Sequence, residues 1–211
     1  VNIIQTTPTK LQLLINDTKY IEYLKNMKKI ILGGETLNSY IFGYLKSITK
    51  ANIINVYGPT ETTIWSTYID LTNKNSISVG KPISNTQTYI LDKKKRLLPL
   101  NISGELFIGG MSVSSGYYND NELTSQKFIK FINNEVVYDT GDIALLDFEQ
   151  NINIIGRSDF QVKINGQRVE LQEIENSIIT YGKIKKCVVI YKDKKLICFY
   201  EKNTDEINIE D

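Results

Sequence analysis

Ile53-Ile54-Asn55-Val56-Tyr57-Gly58-Pro59-Thr60-Glu61-Thr62-Thr63 begins as an apolar run and breaks at a Gly-Pro pair into hydroxyl and carboxylate side chains. The β-branched run predicts a short buried strand, and Gly58-Pro59 ends it. Upstream, Ile41, Leu45 and Ile48 recur at helical spacing and predict a helix over about 38 to 49. Before that helix lies another apolar run, Ile30-Ile31-Leu32, closed by Gly33-Gly34. Strand, helix, strand at this spacing is a right-handed crossover in a buried parallel sheet, and ligands bind in the loops at the carboxyl ends of such strands. Earlier still, Leu11, Leu14 and Ile15 after Pro8-Thr9, then Ile21 and Leu24, read as one helix or two short ones over residues 9 to 26.

Downstream the pattern changes to short alternating strands with turns: TIWSTYID (63–70), TQTYILD (86–92), a solvated KKKR turn (93–96), GELFIGG (104–110), VVYDTGD (136–142), ALLD (144–147) and NINIIG (151–156). ELTSQKFI (122–129) is the one predicted helix of this antiparallel region. After Gly156-Arg157-Ser158-Asp159 a new unit starts. It has a strand QVKING, a strand or helix start in RVELQEIENSIITY, then strands CVVIYK and LICFYEK, so a domain joint is expected near 157 to 160.

Across 211 residues, 25 Lys and Arg stand against 24 Asp and Glu, a formal net charge of +1. No global field selects nucleic acid, an anionic membrane or a polyanionic substrate, so any bound anion must be held locally. Histidine is absent, which excludes Ser-His-Asp and Cys-His catalysis, histidine metal sites and a histidine pH switch in this chain. Cys187 and Cys198 are too far apart for a CxxC motif and lack zinc partners. Both read as buried thiols of a reducing compartment. The N-terminus has no basic segment leading into an apolar core, and no run approaches the roughly 18 apolar residues of a membrane span. The expectation is a soluble, cytoplasmic chain. Arginine occurs only at Arg96, Arg157 and Arg168, against abundant lysine, which singles each out.

Four segments are more polar and Gly-rich than folding requires. In the first, Tyr57 offers a stacking face, Thr60 a hydroxyl and Glu61 a hard oxygen ligand, the parts that hold a base, a phosphate and Mg²⁺; taken alone it also reads as a tight turn. In the second, Tyr138-Asp139-Thr140-Gly141-Asp142, a carboxylate at a Gly turn can accept both hydroxyls of a ribose, although Asp and Gly favour turns without any ligand. The third, Gly104 to Gly110 followed by Ser115-Gly116-Tyr117-Tyr118, reads as a structural hairpin. The fourth, from Gly156 to Glu170, places an arginine at the domain joint before a Gly-tipped charged hairpin.

In this order, NVYGPTETT (55–63), GELFIGG (104–110), YDTGD (138–142) and GRSDFQVKINGQRVELQEIE (156–175) resemble the amino-acid-activating adenylation domains of nonribosomal peptide synthetases. That family lies in the superfamily that also holds acyl-CoA ligases and luciferases. The resemblance runs from residue 1 to at least 200. It implies an α/β fold in which residues 1–156 form the C-terminal part of a large adenylate-forming core, with parallel βα units followed by an antiparallel β-rich subdomain. Residues 157–159 would be a hinge and 160–211 the start of a small α+β C-terminal domain.

The implied chemistry is reaction of an amino acid with Mg·ATP to give an aminoacyl-adenylate and pyrophosphate. Transfer to the phosphopantetheine thiol of a peptidyl carrier protein domain follows. By motif match, Tyr57 stacks on adenine, Asn55 meets its amino edge, and Gly34-Glu35 line the other side of the base. Thr60 touches phosphate, Glu61 holds Mg²⁺, Asp142 binds the ribose hydroxyls and Arg157 adds a ribose contact; Thr60 and Glu61 are the catalytic positions. Asp159 matches the hinge residue, and the hairpin of Lys163, Gly166 and Arg168 resembles the loop that enters the site for thioester formation.

The resemblance also implies a side-chain pocket walled by Gln5, Ile31, Gly33, Val56, Ile64 and Trp65. A wall carrying Trp65, with Gln5 and Ile31 in the same space, admits only a small side chain, and the series looks most like the pattern for glycine, with alanine or cysteine next. The family's phosphate loop and the aspartate for the α-amino group are expected upstream of residue 1, and its Gly-Lys motif beyond Asp211. The expectation is therefore a fragment that works with the remaining part of the same domain and does not adenylate alone. Ile154 stands where the family has an aromatic near the ribose. Two further readings are a non-catalytic nucleotide-binding or carrier-docking module, and an acyl-CoA ligase, against which Pro59 and the form of the hairpin argue.

Overall fold

The computed structural model describes residues 2–158, 161–164, 167–180, 184–192 and 195–202, without the side chains of Lys163 and Arg168. The chain divides into two compact units, residues 1–158 and 159–211.

The first unit opens with β1 (Ile3–Thr6), α1 (Pro8–Asn16), α2 (Thr18–Lys25), β2 (Lys29–Leu32), α3 (Ser39–Ile48) and β3 (Asn52–Tyr57). β1 runs parallel to β2 and β2 parallel to β3, the expected crossover sheet with one more strand at its edge. Four residues with no turn signal before them carry no strand pattern of their own, and β1 is defined by its register with β2. Two helices fill residues 8–25 because Asp17 ends the first and caps the second, its carboxylate accepting from Lys19 N–H. Asn38 caps α3 in the same way, accepting from Ile41 N–H at 2.8 Å.

Leu11, Leu24, Ile41 and Leu45 from the helices pack with Ile30, Leu32 and Ile53 from one face of this sheet into its core. Side chains alternate along a strand. The register Gln5↔Ile31↔Ile54 therefore puts Gln5, Ile31, Gly33 and Val56 on the opposite face, away from the helices.

β4 (Thr67–Asp70) pairs antiparallel with β3 and with β5 (Lys81–Pro82). β4 begins four residues later than the alternation suggests. Thr60–Thr62 form a 3₁₀ turn, and Thr63 and Ile64 then adopt left-handed backbone with φ of 60° and 71°.

A second, antiparallel sheet is built from β6 (Thr86–Leu91), β7 (Gly104–Gly110), β9 (Val136–Leu146) and β10 (Ile152–Arg157), in the order β10-β9-β7-β6. The segment read as the helix 122–129 is α4 (Asn121–Lys127) followed by β8 (Phe128–Lys130), which pairs with β9 and stacks Phe128 on Tyr138. VVYDTGD and ALLD are one strand, not two. The β7–β9 ladder jumps from Phe107↔Asp139 to Glu105↔Ile143, so Thr140–Asp142 bulge out while the strand continues, with Gly141 at φ 71°. Ile90, Leu106, Ala144 and Ile152 form this sheet's core, and Tyr57 and Ile154 pack against it. Val79 N–H donates to Ile152 O at 3.0 Å and Ile152 N–H to Gly80 O at 2.8 Å, tying the two sheets together.

The second unit contains a hairpin of β11 (Gln161–Ile164) and β12 (Gln167–Glu170), then α5 (Leu171–Thr180), then an antiparallel pair, β13 (Ile184–Lys192) and β14 (Lys195–Lys202). Cys187 is buried on β13, its thiol donating to Glu175 O of α5 at 3.4 Å, and burial pushes that thiol's pKa up. Cys198, expected to be buried, is exposed, because β14 is exposed along its whole length. No helix among the described residues is long and apolar enough to cross a membrane.

Candidate active site

The carboxyl end of β3 delivers Asn55 and Tyr57, and the bulge in β9 delivers Asp142. Asn55 is buried and its amide donates to Ser78 O at 2.7 Å. One of its two amide N–H donors is thus committed to the protein, while the side-chain carbonyl oxygen stays available as an acceptor. The Tyr57 hydroxyl donates to Asp142 Oδ2, and Arg157 Nη1 lies 2.9 Å from Asp142 Oδ1. Arg157 faces Asp142 directly across the β9–β10 ladder, where the register slips by one residue at Ile155. Asp142 is only 8% exposed, so the guanidinium and phenol compensate a carboxylate largely removed from water. Burial, reinforced by the Asp142 charge and hydrogen bond, holds the Tyr57 hydroxyl well above the ordinary tyrosine pKa, and it stays a donor. The bulge is fixed from beneath. Thr140 Oγ1 donates to Leu106 O at 2.8 Å and accepts from Asp142 N–H at 3.0 Å. Ser158 N–H donates to Gly141 O at 2.9 Å.

Thr60 is exposed at the start of the 3₁₀ turn, whereas Glu61 is 6% exposed and accepts from the Tyr117 hydroxyl at 2.6 Å. Tyr117 also lies 3.4 Å, oxygen to oxygen, from the buried Tyr138 hydroxyl and stacks edge-on against Phe128. The loop after β7 clamps this turn, through Ser114 N–H to Glu61 O at 2.9 Å and Thr63 Oγ1 to Ser112 O at 2.8 Å. The clamp holds two consecutive β-branched residues, Thr63 and Ile64, in left-handed backbone, at a cost of about 1 to 3 kcal/mol each. Gly58 is required here. A Cβ on it would sit 2.5 Å from Ile64 O and 2.7 Å from Ser66 N.

In the pocket positions, Trp65 packs on Gly33. A Cβ at Gly33 would lie 2.6 Å from Trp65 Cη2 and 2.6 Å from Val56 Cγ2. Ile31 is half-buried on the same sheet face, while Gln5 and Ile64 are exposed. Gly34 has φ 82°, and one oxygen of the Glu35 carboxylate turns back to accept Thr9 N–H of α1 at 2.9 Å. In the second unit Lys163 pairs with Arg168 in the β11–β12 ladder. Asp159 and Gly166 lie outside the described residues.

The structure thus brings Tyr57, Asp142 and Arg157 into one hydrogen-bonded group and Gly33, Val56 and Trp65 into another. Tyr117 was legible only as part of a hairpin, yet it holds Glu61. A Tyr next to a Gly at a loop end is a weak signal that a phenol seeks a buried acceptor. Among the described residues no group of three or more Cys, Asp or Glu side chains could hold a metal by itself. A separate cleft of about 700 Å³ in the second unit, lined by Val169, Glu173, Ile174, Ile178 and neighbours, contains none of these residues.

The parallel βα units followed by a bulged antiparallel sheet are the adenylate-forming fold. The family of AMP-binding enzymes matches residues 1–118. Surfactin synthase subunit 1 of Bacillus subtilis (strain 168) is 40% identical over 188 residues, covering 84% of this chain and 5% of that protein. Among solved structures, holo-AB3403, a four-domain nonribosomal peptide synthetase bound to AMP and glycine, is 34% identical with a TM-score of 0.69, over 99% of this chain and 16% of that one. IdnL1 superposes with a TM-score of 0.90 over 100% of this chain and 46% of its own, at 22% identity, a likeness of fold. The chain belongs to the AMP-binding enzyme family, on its branch of nonribosomal peptide synthetase adenylation domains. It spans about a twentieth of the surfactin synthase subunit that it matches.

Proposed function

We propose that this chain supplies the adenine, ribose and side-chain walls of an amino-acid-activating enzyme. The whole enzyme joins a small amino acid, glycine first, to AMP from Mg·ATP and passes it to the phosphopantetheine thiol of a carrier protein domain. The observation that carries this reading is the group of Tyr57, Asp142 and Arg157 at the strand ends, an aromatic face beside a carboxylate already held for hydroxyl donors. Tyr57 offers its ring to adenine, Asn55 its acceptor to the amino edge, the Gly34-Glu35 loop the opposite side, and Asp142 with Arg157 the ribose. Glu61, one buried carboxylate oriented by Tyr117, suits Mg²⁺, which takes one or two carboxylates and fills its octahedron with phosphate oxygens and water. Mg²⁺ would neutralise phosphate charge there, and Thr60 offers the phosphate a hydroxyl.

Glycine is favoured by the packing of Trp65 on Gly33 and Val56, which leaves little room on that face. The glycine and AMP bound to the 34%-identical synthetase point the same way. The hinge reading of 157–159 is supported by the division of the chain at residues 158 and 159. Because Arg157 and Ser158 are tied to β9, the pivot falls after Ser158. The hairpin of Lys163, Gly166 and Arg168 would then serve the thioester step. The test is amino-acid-dependent exchange of pyrophosphate into ATP by the full enzyme. Glycine gives the highest kcat/KM; no exchange with any amino acid refutes the reading.

A further inference from the structure

Stacking on a base needs an aromatic ring and nothing more, so a phenylalanine at position 57 would do it as well. The Tyr57 hydroxyl is left over from that role, and it is spent on Asp142 Oδ2. Arg157 takes Oδ1 at 2.9 Å. A carboxylate has about four lone-pair sites, so with one bond on each oxygen, each keeps a further acceptor site. The two donors come from different sheets, Tyr57 from β3 and Arg157 from β10. Gripped at both oxygens, the carboxylate cannot turn about its Cβ–Cγ bond, and its remaining acceptor sites stay paired in one plane. That arrangement takes two adjacent hydroxyls, one per oxygen. A freely rotating carboxylate would have to be ordered at the moment of binding. The phenol remains protonated far into alkaline pH, so the grip persists at any working pH.

We propose that Tyr57 is a positioning residue as well as a stacking one: its hydroxyl, opposed by Arg157, fixes Asp142 to receive the cis-diol of a ribose. This rests on the assignment of Asp142 to the ribose. The test measures calorimetric affinities of the 211-residue chain for AMP and for 2′,3′-dideoxy-AMP. The wild-type chain prefers AMP, and Tyr57→Phe lowers that preference about tenfold, the size of a hydrogen bond to a charged group. Asp142→Asn abolishes the preference, and adding Tyr57→Phe to it changes nothing further, because the hydroxyl acts only through the carboxylate. An unchanged preference in Tyr57→Phe overturns the inference and leaves the ribose assignment standing. A wild-type chain that binds both nucleotides equally overturns both. Should Tyr57→Phe fail to fold, proton NMR of the wild-type chain decides: the hydrogen-bonded Tyr57 hydroxyl proton persists at saturating AMP, and its loss on AMP binding refutes the positioning role.

Discussion

The Trp65 ring lies so close to Gly33 that a Cβ there would come within 2.6 Å of its Cη2 atom. A change at either residue is therefore felt at the other. Adding a methyl at 33 forces the indole or Val56 to move, an overpacking cost of typically 1 to 3 kcal/mol, and removing the indole opens the face that also bears Ile31. Steric exclusion of a larger substrate is easier than rejection of a smaller one, since a missing methylene forfeits as little as about 1 kcal/mol. The full enzyme is therefore expected to prefer glycine over alanine by roughly tenfold to a few hundredfold in kcat/KM. Trp65→Ala or Trp65→Leu extends the range to larger aliphatic amino acids. Better activation of Phe, Leu or Lys than of Gly by the wild-type enzyme refutes this.

Asp142 and Glu61 are the two buried carboxylates of the site, each already held by a tyrosine hydroxyl. Preorganised polar groups of this kind supply on the order of 2 to 4 kcal/mol to a reacting centre. Asp142→Ala or Glu61→Ala in the full enzyme should thus slow pyrophosphate exchange by roughly thirtyfold to a thousandfold. Wild-type exchange rates in both variants would remove these residues from the reaction.

Much of the first sheet was legible because β2, α3 and β3 each carry a periodic apolar pattern bounded by Gly, Asn or Pro. β1 was not, since Ile3–Thr6 becomes a strand only through pairing with Lys29–Leu32. The alternation through Thr63 and Ile64 predicted strand where the chain is left-handed, because the clamp by Ser112 and Ser114 is a long-range constraint with no local trace. The single strand from Val136 to Leu146 was divided for the opposite reason: Gly141 looks like a turn locally, and only the partner ladders turn it into a bulge. Tyr57, Glu61, Asp142 and Arg157 were readable as chemistry by their motifs, but Tyr117 is brought to Glu61 by tertiary packing, and Arg157 is set on Asp142 by strand register.

The groups assigned to nucleotide in this chain face base and ribose, with only Thr60 and Glu61 left for phosphates. The 211-residue chain by itself is accordingly expected to bind AMP and ATP weakly and about equally, and to form no measurable adenylate. Isothermal titration with each nucleotide, and a pyrophosphate-release assay with contaminating enzyme excluded by mass spectrometry, check this. ATP bound more than about tenfold tighter than AMP, or robust turnover, refutes it; a tenfold difference corresponds to about 1.4 kcal/mol of phosphate contact.

Two tyrosines tie stability to alkaline pH. The Tyr89 hydroxyl donates to Glu135 Oε2 at 2.8 Å, and burial together with that hydrogen bond and charge pushes its pKa up to about 12. Tyr57 is raised by burial and by Asp142. An unfolded tyrosine loses its proton near 10, so above about pH 10 the folded state holds more protons than the unfolded one. The stabilisation is fully present below about pH 10 and is lost as pH rises through the folded pKa, about 12 for Tyr89. Thermal melts across this window should therefore find wild-type Tm converging on that of Tyr89→Phe between pH 10 and 12, with the gap constant from pH 7 to 9. Tyr57→Phe should behave in the same direction, its gap likewise beginning to close above about pH 10. Lysines titrate in the same range but do so in wild type and variant alike, so the difference in Tm isolates the tyrosine. A gap that widens above pH 10 would reverse the sign and remove the Glu135 hydrogen bond as its cause.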